Sequence, residues 1–231
     1  MPDYTLYYWP VPFRGQFIRA ALAHAGATWD EADAGEIAAM RARAPADQPS
    51  PHMGPPLLID HAADVALSQT EAILAYLGAR HGLIPDDPVL SAFTHKVVAD
   101  ANDVLYEMTL YNGAQMWTKP AWAEYRPRLA RWMAIFETLG TRHGLTADKG
   151  TLLGTEAPGL ADLTAHILWG TMTAKFPSLR PLLDETAPAL AGLSDRIGAL
   201  PEQAELRARS DAAYGEEWCS GEIEASLRAV L

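Results

Sequence analysis

Within the first 26 residues the apolar positions of this chain change their period from two to about 3.6. Tyr4-Thr5-Leu6-Tyr7-Tyr8 alternates, so Tyr4, Leu6 and Tyr8 share one face of a strand while Thr5 and Tyr7 share the other. Trp9-Pro10-Val11-Pro12 breaks that strand, and from Arg14 the apolar residues Phe17, Ile18, Ala21, Leu22 and Ala25 recur at helical spacing until Gly26 stops them. The last residue before the break is a phenol, placed at the mouth of any site built there. Thr28–Ala32 reads as a short strand and Glu36 to about Arg43 as a weak helix. The proline-rich stretch 44–56 reads as a loop, because proline fixes φ and offers no ladder donor.

Leu57–Asp60 and Asp64–Leu67 read as two strands of a hairpin across His61-Ala62-Ala63. A helix follows, with Ser68 as the expected N-cap, Glu71 as its capping-box partner, and Ala72, Ile73, Tyr76 and Leu77 as its apolar face. The first 81 residues thus predict β-α-β-α-β-β-α. Residues 82–88, Gly-Leu-Ile-Pro-Asp-Asp-Pro, have linker composition, and beyond them the pattern is helical: about 89–117, 121–143, 160–175, 187–199 and a short helix from 201. The tail from Asp211 is less periodic. Three segments are expected: an α/β domain over 1–81, a linker over 82–88 and an all-α domain over 89–231.

Composition narrows the partners. A net charge of -11 disfavours nucleic acid and anionic membrane surfaces as the main partner. No run of about 18 apolar residues predicts a membrane span, and the N-terminus shows no signal-peptide pattern, so a reducing cytoplasm is the expected location. The single Cys219 fits, since it cannot form an internal disulfide and excludes a Cys-x-x-Cys redox pair. The seven histidines show no paired ligand spacing, so no metal is expected, and no phosphate-binding glycine motif or Gly-x-Ser-x-Gly elbow occurs.

The strand ending in Tyr8, Arg14 at the next helix start, the Pro55-Pro56-Leu57-Leu58 run and Ser68-Gln69-Thr70-Glu71, with this order of elements, resemble the glutathione transferase superfamily of the tyrosine type. The resemblance covers the whole chain. It implies a thioredoxin-like N-terminal domain followed by an all-helical domain, with glutathione as co-substrate and the glutathione thiolate conjugated to a small, apolar electrophile. By the same resemblance Tyr8 holds the sulfur as a thiolate, with Arg14 as the nearby cation. Gln69 and Thr70 bind the γ-glutamyl end at a helix N-terminus, which favours anions. Pro55, before the family's cis-proline at Pro56, pairs with the cysteinyl backbone but lacks the usual N–H.

Asp100-Ala101-Asn102-Asp103 resembles the segment from which some classes reach a neighbouring subunit's site, which implies a homodimer with Asp103 contributing across the interface. Arg41, Arg43 and His52 are open candidates for the glycine carboxylate. Trp9, Phe13, Tyr111 and Trp117 are candidates for the electrophile wall. Gly154 and Gly159-Leu160-Ala161-Asp162 resemble a structural capping box. Two other readings keep the same residues: a glutathione-dependent isomerase or peroxidase, and a transferase-like fold kept as a non-catalytic binding module, which Pro55 and Phe13 favour.

Overall fold

A computed structural model describes residues 2–231. Strand β1 (Tyr4–Tyr7) buries Tyr4 and Leu6, as the alternation predicts, and sits at the centre of a four-stranded sheet of order β2-β1-β3-β4. It pairs in parallel with β2 (Trp29–Glu31) and antiparallel with β3 (Leu57–Asp60), which pairs antiparallel with β4 (Val65–Ser68). The parallel pair requires a crossover, supplied by α1 (Arg14–His24). Helix α2 (Ala34–Ala42) starts with a full capping box between Asp33 and Glu36. Helix α3 (Thr70–Arg80) closes this half and packs beside α1.

The rest is helical: α4 (Pro88–Met108), a short turn α5 (Leu110–Gly113), α6 (Lys119–Arg142), α7 (Leu160–Ala165), α8 (Met172–Lys175), α9 (Arg180–Thr186), α10 (Pro188–Gly198), α11 (Pro201–Tyr214) and α12 (Gly221–Arg228). A π-helical turn, His166–Thr171, joins α7 to α8 without a break. One buried cluster runs from the sheet side (Leu6, Leu22, Ile73, Leu77) into the helices (Val97, Phe136, Leu160, Trp169). The Leu160 N–H donates to the Leu83 carbonyl at 2.8 Å and fixes the segment after α3 to the start of α7. Asp162 accepts from the Gly159 and Leu152 N–H groups at 2.9 and 2.7 Å, the capping role expected of it.

Three expectations need correction. The helix predicted over 89–117 ends at Met108, because Leu110, Tyr111 and Asn112 turn left-handed at φ 42°, 63° and 58°. The Asn112-Gly113 pair suits such a turn, and the Trp117 indole N–H caps the freed Met108 carbonyl at 2.9 Å. Ser68 is not the N-cap of α3: it ends β4, and Gln69, at φ 75°, takes the N-cap position without a side-chain bond. The tail beyond Asp211 also has order. The Glu224 carboxylate accepts the Trp218, Cys219 and Ser220 N–H groups at 2.9, 2.8 and 2.6 Å and gathers that loop onto α12.

Candidate active site

Tyr8 follows β1 and is buried against the first turn of α1. A Cβ on Gly15 would stand 2.3 Å from the Tyr8 ring, so only glycine lets the ring lie so close to the helix. This contact brings the phenol oxygen to the helix N-terminus, where it accepts the Arg14 N–H at 3.0 Å and faces the Gly15 N–H. A hydroxyl has two lone pairs and one proton. One lone pair holds the Arg14 N–H and the other faces the Gly15 N–H, while the proton has no acceptor among the described residues. Burial pushes the Tyr8 pKa up to about 12, against the opposing pull of Arg14 and the two N–H groups. At neutral pH the group is therefore a fixed donor rather than a base.

That donor belongs to a cavity of about 520 Å³ whose lining includes Tyr8, Trp9, Phe13, Arg14, Pro55 and Gln69. Asn102 and Tyr106 of α4, with Thr109 and Asn112 just beyond it, close another side together with Cys219 and Ile223. The Arg14 guanidinium donates to Asn102 Oδ1 at 3.3 Å and to Asn112 Oδ1 at 3.1 Å, and lies over the Phe13 ring at 4.8 Å. Both acceptors are neutral amides. The arginine thus keeps an uncompensated positive charge beside the Tyr8 donor, and the pair suits an anion.

The bond between Pro55 and Pro56 is cis, and both residues line the cavity. Thr70 lies alongside, lining a small cleft that shares Arg14 and Asn102. Arg41 lies over the Trp9 ring at 5.5 Å. The remaining candidates separate from this group. Asp103 is exposed on α4, one position beyond Asn102, and does not line the cavity. Tyr111 is exposed and stacks edge-on against Tyr106, a lining residue. Trp117 is core, packed on Trp122 and Tyr125 with its indole N–H committed to Met108, so it is not part of the cavity wall. Cys219 lines the cavity as a thiol, its pKa pushed up to about 12 by burial and the nearby Glu224.

Asn112, Thr109, Val11 and Ile223 enter the site without a local motif. Arg19, also missed, supports it from behind. Its guanidinium binds the Val11 and Trp9 carbonyls at 3.0 and 3.4 Å and both Glu31 oxygens at 2.7 and 3.0 Å. The one available signal was a charged residue inside the apolar run Phe17-Ile18-Arg19-Ala20-Ala21.

A mixed sheet followed by a helical array, with a buried phenol and an unpaired arginine at their junction, is the arrangement that the sequence resemblance implies. The family model for the glutathione S-transferase C-terminal domain matches residues 93–230. That is more than half of the chain, and the chain belongs to the glutathione S-transferase family. No curated protein matches it. Among solved structures, NaGST-2 superposes with a TM-score of 0.70 at 18% identity, over 90% of this chain and 97% of its own. The Pi-class glutathione S-transferase of Onchocerca volvulus superposes with a TM-score of 0.73 at 18% identity, over 91% and 95%. These likenesses carry the fold: a thioredoxin-like half followed by a helical half.

Proposed function

We propose that this protein conjugates the thiolate of glutathione to a small, mainly apolar electrophile. The observation that carries this reading is the Tyr8 hydroxyl, whose lone pairs face α1 N–H groups while its proton is left to a ligand. A thiolate sulfur in the cavity would accept that proton, with the Arg14 charge nearby. Lowering a thiol pKa from ~8.5 by two units takes about 2.7 kcal/mol, which a charge-assisted hydrogen bond and one cation can supply together. The thiolate then attacks the electrophilic carbon, the leaving group departs with its electron pair, and Tyr8 keeps its proton throughout. The rate rests on the orientation and ionised fraction of the sulfur.

The other roles follow the chemistry at each position. Gln69 and the first N–H groups of α3, with Thr70, take the γ-glutamyl carboxylate. The Pro55 carbonyl accepts from the cysteinyl N–H, and no return bond forms because Pro55 has no N–H. Arg41, beside Trp9, is assigned the glycine carboxylate. Trp9 and Phe13 form the apolar wall, with Tyr111 at its edge through Tyr106. Asp103 is assigned to the site of a second copy in a homodimer, and the protein is assigned to the cytoplasm.

The test is the thiol pKa of glutathione bound to the purified protein, followed by thiolate absorbance against pH. The expected value lies well below ~8.5, and Tyr8→Phe should return it towards that value and lower kcat/KM roughly 100-fold. Binding without a pKa shift would overturn conjugation and leave the non-catalytic module as the reading.

A further inference from the structure

Just beyond Met108 the backbone does what L-residues avoid. Leu110, Tyr111, Asn112 and Gly113 follow one another at φ 42°, 63°, 58° and 83°, a left-handed turn in which only the last residue is glycine. Left-handed backbone crowds each Cβ against the following carbonyl, so a run of it persists only where its surroundings over-determine it. They do so here. The Gly113 N–H donates to the Thr109 carbonyl at 2.7 Å and the Ala114 N–H to the Leu110 carbonyl at 3.1 Å. The Thr109 hydroxyl donates to the Leu105 carbonyl at 2.9 Å, and Tyr111 packs edge-on against Tyr106 with ring centres 5.3 Å apart.

Of the four residues in this turn, Asn112 alone lines the active cavity. Its Oδ1 takes Nη2–H of Arg14 at 3.1 Å, while Asn102 Oδ1, from α4, takes Nε–H at 3.3 Å. A guanidinium is planar and only donates, so acceptors on two of its nitrogens fix both its plane and its direction. Nη1 is left without a partner among the described residues, on a side chain that lines the cavity. The chemistry of the acceptor matters as much as its place. The chain carries 29 Asp and Glu against 18 Lys and Arg, yet the two acceptors on Arg14 are neutral amides. A carboxylate at position 112 would bind the guanidinium more tightly and cancel its charge. Glycine would suit the backbone better and offer no acceptor. Asparagine tolerates the left-handed region and supplies an uncharged oxygen, so it meets both demands.

We propose that Asn112 is a positioning residue: the left-handed turn holds its amide so that Arg14 faces the cavity with its charge intact, and the fold gives up stability at this turn to do so. The glutathione reading above supplies the ligand, an anion at the sulfur position beside Tyr8 and Arg14.

The test compares two probes by calorimetric titration into the intact protein. Glutathione sulfonate places a permanent anion at the sulfur position, and S-methylglutathione places a neutral thioether there. Wild type should prefer the sulfonate by about 10-fold or more. Asn112→Gly should remove most of that preference, leave S-methylglutathione affinity unchanged, and hold or raise the urea midpoint, because glycine relaxes the turn. Asn112→Asp keeps the acceptor and the turn but cancels the charge, and should lose the preference as well. An asparagine that served only the fold would give the opposite pattern, a lower urea midpoint in Asn112→Gly with the preference intact in both variants. A preference retained in either variant would overturn the inference, as would its absence in wild type or equal loss of both probes in Asn112→Gly. Conjugation fails separately: if the preference and its loss are seen while bound glutathione keeps its free thiol pKa, Asn112 retains its role and the transfer reaction is removed. A wild type that binds neither probe removes both.

Discussion

The position of Tyr8 depends on residues that never touch the cavity contents. Gly15 lets the ring approach the helix, and Arg19 holds the Trp9–Val11 segment from behind through two carbonyls and Glu31. Arg19 is 2% exposed, and removing it would leave the Val11 carbonyl without this donor and Glu31 without its cation, while the Trp9 carbonyl keeps the Val11 N–H and Glu31 keeps the Trp29 indole N–H. Arg19→Met is expected to cost about 3 kcal/mol in urea unfolding, with Arg19→Lys a poor substitute because an ammonium cannot span the same acceptors. A loss under about 0.5 kcal/mol would show that the segment holds its shape unaided. Arg19 also shows how far sequence reading reaches at this scale. Tyr8 and Arg14 stand beside a strand end and a proline break and could be found locally. Arg19 sits inside an apolar stripe, and its partners lie on a neighbouring loop and strand that only the fold brings to it.

At the scale of elements, the helix from Leu160 through the π-helical turn to Lys175 forms much of the wall of a cavity that shares no lining residue with the active one. Its His166 makes this helix sensitive to pH. The unfolded imidazole titrates near 6.5 and the folded one at about 4. Between those values the unfolded chain binds a proton that the folded chain refuses, so stability falls as pH drops through the window and is retained above it. The full effect is about 3 kcal/mol. Urea unfolding of wild type at pH 7.5 and pH 5 should show the loss, and His166→Phe should flatten the difference between them. An unchanged slope in the variant would assign the pH dependence to other groups. The period of apolar residues located this helix correctly over 160–175 but could not reveal the π-helical turn, since one inserted residue barely disturbs a periodic count. The break after Met108 was hidden for a related reason: Tyr111, Met116 and Trp117 continue an apolar pattern across a turn whose backbone is left-handed.

For the whole molecule, the proposal that Asp103 serves a second copy requires self-association. Sedimentation should give twice the 25.1 kDa of one chain, and Asp103→Ala should raise the KM for glutathione while leaving that mass unchanged. A species of 25.1 kDa would remove Asp103 from any site, because within its own chain it does not reach the cavity. The division into a sheet-bearing half and a helical half was legible from element order alone. The far wall of the active cavity was not, because Asn112 enters through a left-handed turn, and Cys219 and Ile223 enter through a tail organised by one carboxylate. That wall also sets an order of events during synthesis. Tyr8 and Arg14 leave the ribosome early, and the segment gathered by Glu224 follows only after residues 15–217 have been made. The nascent protein therefore carries its donor and its cation before it has an enclosure for them, and the wall that Cys219 and Ile223 supply is the last to be made.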